Sequence, residues 1–181
     1  MVAAVQACHA KSAGTSSTYV SLGDDNCFQP GPDIAQLYTQ RSLGVVECAV
    51  KNSPLRLFMV SSEEHSWIDI GLGNRIWSTE EPVVYARENQ FGFFPNVGSA
   101  PVEIILNPAQ KPIGLIFRVT GQDPNSTAQK IGKLSRLFVI GFRKDGACVL
   151  GTAKDNRNGR TWLQKEKNCQ QQLKSTSLST E

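Results

Sequence analysis

The sequence lacks any apolar run long enough to cross a membrane. A spanning helix needs about 20 consecutive apolar residues, whereas the stretches PLRLFMVSS and PVEIILNP are short and are broken by charge or proline. Charged residues are also scarce, at 19% of the chain, compared with about 25% in typical soluble domains. We therefore expect a soluble domain, or one tethered at an end, with no transmembrane segment. The low charge favours a secreted, β-rich protein.

Histidine, the commonest catalytic base, is nearly absent, because the chain contains only His9 and His65. His65 lies in the segment SSEEHSWID, beside serines and acidic residues that would suit a hydrolase. The segment separates two stretches that have the composition of strands, where polar residues collect without any function. We therefore interpret it as a solvated turn and predict no catalytic residue, with a hydrolase using the His65 region as the alternative.

Motifs for metals, cofactors and nucleic acids are missing or incomplete. The cysteines form no close C-x₂₋₄-C pair of the kind that zinc sites use, and GLGNR lacks the third glycine and the helix of a phosphate-binding loop. We predict no metal, no cofactor, and a turn at GLGNR. Aromatic and basic residues interleave too sparsely for a binder of single-stranded nucleic acid. Nucleic acid is therefore an unfavoured partner.

Four of the five cysteines fall into two equally spaced pairs. Cys27 and Cys48 are 21 positions apart, as are Cys148 and Cys169, and the hundred residues between the pairs contain none. Four cysteines allow three pairings. We favour the sequential one, because it closes two local loops that would each stabilise the fold by about 3 kcal/mol. Disulfides at these four positions predict an oxidising compartment.

Residues 1–18 are interpreted as the remnant of a signal peptide or as a disordered lead. The stretch MVAAVQACHA has the small residues of a cleavage site but not the basic start or the full apolar stretch of an export signal. Its VQAC also half-matches the signal of lipoproteins, so lipid anchoring through Cys8 is an alternative to a free thiol. The expected location is outside the cytoplasm, in the periplasm or the extracellular space.

Short segments rich in β-branched residues predict one β-rich domain over residues 19–173. The clearest are LGVVECAV, PLRLFMVS, SWIDIGL and LSRLFVIGFRKDGACVLGTA, the last of which reads as a hairpin around an Asp-Gly turn. IAQLYTQRS predicts one helical turn, and residues 174–181 lack core content and predict a disordered tail. The fold class that we predict is mainly β, an antiparallel β-sandwich or small barrel with one C-terminal helix.

The C-terminal helix is predicted from a change of period in DNRNGRTWLQKEKNCQQQL. Trp162, Cys169 and Leu173 share one helical stripe, with Asp155 or Asn156 as the candidate N-cap. A disulfide between Cys148 and Cys169 would fasten this helix to the β domain and bury Trp162.

Charge is distributed unevenly along the chain. Before residue 128 there are 8 basic and 12 acidic residues, a net charge of −4, and after it there are 11 and 4, a net charge of +7. Folding could mix the two parts, in which case the asymmetry would describe no real surface. If it does not, the basic part predicts an anion-binding surface. The candidate residues for this surface are Arg157, Arg160, Lys165 and Lys167.

Several segments together resemble a family of small exported bacterial proteins of uncharacterised function. They are YVSLGDDNC, VVECAVKNSPLRLFMVSSEEHSWIDIG, FPNVGSAPVEIIL, PIGLIFRV and LFVIGFRKDGACVLGTAKDNRNG. The resemblance covers roughly residues 19–165, while Cys169 and the basic C-terminal end depart from it. It implies export and a single domain, and it supplies no catalytic residue.

The sequence thus favours a non-catalytic, exported and disulfide-stabilised binding module in the periplasm or cell envelope. Its partner would be an anionic envelope component or another protein. The alternatives are the hydrolase at His65 and a basic surface that binds an anionic polymer.

Overall fold

The computed structural model describes residues 14–86, 92–127, 130–144 and 146–178. These residues form thirteen strands, two α-helices and one π-helical turn. The strands are β1 (Ser16–Val20), β2 (Cys27–Phe28), β3 (Gly44–Cys48), β4 (Leu55–Ser61), β5 (Ser66–Leu72), β6 (Arg75–Ser78), β7 (Phe93–Asn96), β8 (Val102–Leu106), β9 (Pro112–Gln122), β10 (Lys133–Arg143), β11 (Gly146–Ala153), β12 (Gln171–Gln172) and β13 (Lys174–Ser177). The helices are α1 (Pro32–Thr39) and α2 (Asn156–Gln164), and the π-helical turn spans Glu81–Tyr85.

Two antiparallel sheets form the molecule. Sheet A has the order β1-β8-β9-β10-β11-β12, with β7 also paired to β9, and sheet B has the order β13-β6-β5-β4-β3-β2. The predicted fold class, mainly β and antiparallel with one C-terminal helix, is confirmed. Because the strands form two separate sheets, the fold is sandwich-like rather than a closed barrel. No helix among the described residues is long and apolar enough to cross a bilayer.

Alternation along the strands of sheet A buries both of its faces. Ile104, Leu115 and Phe138 belong to the core between the sheets, whereas their neighbours Ile105 and Ile116 belong to a second cluster on the other face. Successive side chains of a strand point to opposite faces, so a strand with apolar residues at every position must be covered twice. Leu163 of α2 completes the second cluster, which places α2 on the outer face of sheet A.

The outer face of sheet B is covered by α1. Tyr38, near the end of this helix, packs beside Phe58 of β4 with the rings tilted and their centroids 6.5 Å apart, and its hydroxyl donates a hydrogen bond to Asp69 of β5. The helix begins with Pro32, whose fixed φ suits a first helical position. The prediction of one helical turn at this place was too short, because α1 has eight residues and buries Ile34 and Tyr38 against the sheet.

The chain crosses between the sheets at both lateral edges of the sandwich. At one edge it passes from β1 in sheet A to β2 in sheet B, and at the other from β12 in sheet A to β13 in sheet B. A disulfide fastens each crossing: Cys27 of β2 is bonded to Cys48 of β3, and Cys169, just before β12, is bonded to Cys148 of β11. Both bonds have the sequential pairing that the spacing favours.

The predicted disordered tail at 174–181 is wrong over its first part. Lys174–Ser177 form β13, which pairs with β6, and the amide of Leu178 donates to the carbonyl of Asn74 at 2.7 Å. The segment has little apolar content and so lacks the pattern of a buried strand, but the open edge of β6 supplies backbone partners. Residues 179–181 lie outside the described residues, as do residues 1–13 with Cys8 and His9.

The C-terminal helix begins as predicted but is shorter. The Asp155 side chain accepts a hydrogen bond from the Asn158 amide at 2.8 Å and forms the N-cap. The helix ends at Gln164, and Glu166 has a left-handed φ of 49°. The predicted stripe through Cys169 and Leu173 is therefore wrong, because the chain after the helix turns onto the edge of sheet A.

Candidate anion-binding end of the sandwich

A basic residue lies in or directly after each hairpin turn at one end of the sandwich. In sheet B the β3–β4 turn carries Lys51, and Arg75 follows the β5–β6 turn. In sheet A the β8–β9 turn carries Lys111 and the β10–β11 turn carries Lys144. Turns that join alternate strand pairs of an antiparallel meander meet at the same end of the sheet. A cleft lined by both Arg75 and Lys144 brings the two sets of turns together.

We call this region the basic end. The connection from α2 to β12 belongs to it, since the Arg143 guanidinium donates a hydrogen bond to the carbonyl of Lys167 at 3.0 Å. Among the described residues of the four turns and of the α2–β12 connection, Glu166 is the single acidic residue. The basic residues of the basic end are Lys51, Arg75, Lys111, Arg143, Lys144, Lys165 and Lys167.

The opposite end, which we call the acidic end, carries the reverse charge. It contains the β1–β2 loop, the β4–β5 turn, the β9–β10 loop and the link from β11 to α2. A hydrogen bond from the Val97 amide to Ser66 Oγ ties β5 to the segment after β7 at this end. The acidic residues of these loops are Asp24, Asp25, Glu63, Glu64, Asp123 and Asp155, and the basic ones are Lys130, Lys133 and Lys154. Arg41, in the loop before β3, lies at the same end and is ion-paired to Glu80.

Charge is thus sorted along the strand direction and not by halves of the sequence. Lys51, Arg75 and Lys111 come from the part of the chain with a net negative charge, yet they lie at the basic end. The meander makes this distribution possible, because successive turns lie at opposite ends of the sheet. Every second turn therefore lies at the same end, whatever its position in the sequence. The charge asymmetry calculated from the sequence halves therefore does not describe a surface of the folded molecule.

A cleft of about 560 Å³ opens between the two sheets at the basic end. Leu72, Trp77 and Phe142 line it on its apolar side, and Arg75 and Lys144 stand exposed at its rim. Neither of these two basic side chains forms an ion pair within the described part of the chain. The cleft therefore offers an aromatic surface and two cations, a combination that suits an anionic ligand with an apolar or ring-shaped body.

The β10–β11 turn lets Trp77 lie close to the backbone. Gly146 has a φ of +135°, and a Cβ at this position would lie 3.0 Å from Trp77 Nε1. Only glycine takes up this conformation readily and leaves room for the ring. Gly146, which is part of the sequence signal for the hairpin, thus also shapes the cleft.

The four residues predicted to bind anions have different environments. Arg160 is ion-paired to Glu103 at 2.5 Å and donates to the Tyr19 hydroxyl at 2.9 Å. The Lys167 ammonium lies 3.4 Å from the centroid of the Trp162 ring. Arg157 and Lys165 are exposed. The structure therefore does not bring the four together as one free surface, and their role in anion binding stays a prediction.

Glu103 is the fully buried carboxylate that holds Arg160. Its second oxygen accepts a hydrogen bond from Asn156 at 2.6 Å. Burial raises the pKa of Glu103, but the hydrogen bonds from Arg160 and Asn156 outweigh it and leave the pKa below its ordinary value. The network pins the first turns of α2 to β8, and we assign Arg160 to this structural role.

His65 lies in the turn between β4 and β5, as predicted. The Ser62 amide donates to the His65 carbonyl at 2.9 Å, and the His65 amide donates to Ser62 Oγ at 3.2 Å. Ser62 Oγ is 3.5 Å from His65 Nδ1, so its closer contact is with the backbone of the turn. Among the described residues no group of three or more His, Cys, Asp or Glu side chains is arranged to hold a metal.

Asp69 is a buried carboxyl group that lies near His65 in the sequence, among the acidic residues of SSEEHSWID, but whose partners in the structure are Tyr38 and Thr79. Its oxygens accept hydrogen bonds from the Tyr38 hydroxyl at 2.9 Å and from the Thr79 amide at 3.3 Å. Burial raises the pKa of Asp69 to about 6, against the opposing effect of hydrogen bonds from Ser78, Tyr38 and Thr79. Its place within SWIDIGL, an otherwise apolar strand, was the available signal.

No protein family, curated protein or solved structure matches the chain. The functional interpretation therefore depends on the geometry and charge of the molecule itself.

Proposed function

We propose that this protein is an exported, non-catalytic binding module whose basic end holds an anionic component of the bacterial cell envelope. The observation that carries the proposal is the cleft with Trp77 and Phe142 in its wall and Arg75 and Lys144 at its rim. The resemblance to small exported bacterial proteins supplies the location. Two disulfides support that location, since such bonds persist in oxidising compartments.

The chemistry of the cleft favours a carboxylated sugar polymer as the ligand class. Aromatic rings present a flat apolar face to the C–H side of a sugar ring, while the carboxylates meet Arg75 and Lys144. The basic turns beside the cleft extend the positive field, so that a polymer would contact several cations at once. Exposed cations interact weakly one by one, and their combined effect weakens as salt is added.

The test is a binding titration with oligogalacturonate, a carboxylated sugar polymer, followed by Trp fluorescence and calorimetry. We expect the Arg75→Glu/Lys144→Glu variant to bind at least tenfold more weakly than the native chain, which corresponds to about 1.4 kcal/mol. The matched control is Lys154→Glu/Arg157→Glu, which changes the net charge equally outside the basic end. This control should bind within about twofold of the native chain.

A neutral polymer is the further control. Neutral dextran of the same length should not bind, because it offers no charge to Arg75 and Lys144. Equal losses of affinity in the two charge-reversed variants would mean that net charge alone attracts the polymer, and the proposal would then be wrong. Native affinity in Arg75→Glu/Lys144→Glu would contradict it as well.

A further inference from the structure

Two aromatic rings stand exposed side by side at the acidic end. Phe93 and Phe94 are 55% and 48% exposed, and their ring centroids are 6.3 Å apart. The His65 ring lies 6.2 Å from Phe94. Large apolar side chains that cluster on a surface often mark an interaction site, unlike single exposed residues. We call Phe93 and Phe94 the ring pair.

The backbone of the ring pair is held in an unusual conformation. Phe94 has a φ of 53°, and the pairing of β7 with β9 shifts register between Phe93 and Asn96. A bulky residue in the left-handed region costs free energy, and such outliers concentrate at functional sites. Here the irregularity lies in the same short strand that exposes both rings.

Acidic side chains accompany the ring pair. Glu63 and Glu64 occupy the β4–β5 turn next to His65, and Asp24 and Asp25 lie in the neighbouring β1–β2 loop. The basic residues among the described loops of this end are Lys130 and Lys133, around the β9–β10 loop, Lys154 after β11, and Arg41 before β3, which is ion-paired to Glu80. A partner that covers the ring pair should therefore present an apolar recess with cations around it.

The opposite end of the same molecule has these properties. The cleft at the basic end has an apolar side of Leu72, Trp77 and Phe142, and its rim carries Arg75 and Lys144. The ring pair and the cleft are different surfaces at opposite ends of the strands. Contact between them in two copies is therefore heterologous, and it repeats from copy to copy in a head-to-tail manner.

We infer that copies of this chain associate head to tail, with the ring pair of one copy seated in the inter-sheet cleft of the next. Glu63 and Glu64 of the first copy then face Arg75 and Lys144 of the second. The inference uses the cleft of the proposed function, so the anionic polymer and the second copy compete for one site. Added oligogalacturonate should therefore shift the chain towards monomers.

The test is sedimentation velocity of the full chain at low salt, about 20 mM, and at high salt, about 500 mM. We expect oligomers at low salt that grow with protein concentration up to about 1 mM, the range of a weak contact with a millimolar dissociation constant. High salt should raise the dissociation constant at least tenfold. The Phe93→Ser/Phe94→Asn variant should stay monomeric while remaining folded, since Asn tolerates the left-handed backbone better than Phe. Phe28→Ser, which removes an exposed ring elsewhere, is the matched control and should associate like the native chain.

A mixing experiment identifies the two surfaces. Phe93→Ser/Phe94→Asn keeps the cleft, and Arg75→Glu/Lys144→Glu keeps the ring pair, so each variant alone should be monomeric. Mixed together, they should form a 1:1 complex and nothing larger, because each supplies the half that the other has lost. Absence of this complex would overturn the inference, and so would a native chain that is monomeric at low salt.

The two proposals can fail separately. A native chain that binds oligogalacturonate but stays monomeric would overturn the head-to-tail contact alone. A chain that associates through the ring pair and cleft but does not bind the polymer would overturn the proposed function alone.

Discussion

At the scale of single residues, Asp69 makes the stability of the fold depend on pH. Its pKa in the folded state is about 6, above the ordinary value of 3.8, because the carboxyl group is buried. The folded chain therefore keeps a proton on Asp69 that the unfolded chain releases between about pH 4 and pH 6. Stability from this group is complete below pH 4 and is lost as the pH rises to 6, by about 3 kcal/mol.

We predict that Asp69→Asn removes this dependence. Urea denaturation at several pH values gives the free energies of unfolding of the variant and of the native chain. The difference, variant minus native, should rise by about 3 kcal/mol between pH 4 and pH 7. The amide oxygen can still accept a hydrogen bond from Tyr38, but the amide NH2 cannot accept the bond from the Thr79 amide. We therefore expect an additional loss of stability that does not depend on pH. A difference that stays constant across this range would show that Asp69 titrates normally.

A second residue-scale prediction concerns Arg160 and its buried partner Glu103. Arg160→Ala should lower the free energy of unfolding by about 2–3 kcal/mol, because the Glu103 carboxylate stays buried without its cation. The partly exposed position of Arg160 keeps the loss below that of a fully buried pair. Arg157→Ala, on the exposed side of the same helix, is the control and should change stability by less than about 0.5 kcal/mol.

The Glu103–Arg160 pair can also be tested by rescue. The double variant Glu103→Gln/Arg160→Ala should lose less free energy of unfolding than the two single variants lose together, since no uncompensated charge remains. Additive losses would mean that the two side chains contribute independently.

At the scale of elements, the disulfides fasten the two segments that cross between the sheets. Removing the second bond by Cys148→Ala/Cys169→Ser should cost about 3 kcal/mol, for a loop of this length. That loss corresponds to a Tm lower by roughly 6–12 °C in a chain of this size. Hydrogen exchange should show that β13 and the edge of β6 lose protection first, because the crossing is no longer held.

The first disulfide provides the matched control. Cys27→Ala/Cys48→Ser opens a loop of equal length, so the Tm should fall by a similar amount. Protection should then disappear in β2 and the β1–β2 loop while β13 stays protected. Identical exchange patterns in the two variants would contradict the assignment of one bond to each edge.

Element by element, the sequence predicted what depends on local pattern. The strands of the two meanders, the Asp-Gly hairpin and the Asp155 cap of α2 follow from alternation and turn chemistry. The end of α2 and the strand at Lys174–Ser177 do not, because both depend on tertiary partners. The chain stops being helical where Cys169 and the edge of β11 draw it onto sheet A, and β13 forms because β6 offers an open edge.

At the scale of the whole molecule, the separation of charge could not have been predicted from the linear sequence. Lys51 and Lys144 are far apart in the chain, and only the packing of one sheet on the other brings their turns to one end. The four residues predicted to bind anions, among them Arg157 and Lys165, were identified because basic residues are close together in that part of the sequence. Arg160 belongs to that set but is committed to Glu103, a partner more than fifty positions away.

The central claim is that the basic end, with its cleft, is the binding surface of the molecule. The most direct measurement is an NMR titration of the isotope-labelled protein with oligogalacturonate, following the backbone amides and the three Trp indole signals. We predict that the shifts concentrate at the turns carrying Lys51, Arg75, Lys111 and Lys144 and at the Trp77 indole, while the buried Trp67 stays unchanged. Shifts centred on Arg157 and the exposed side of α2, or no shifts at any of the four turns, would contradict the account.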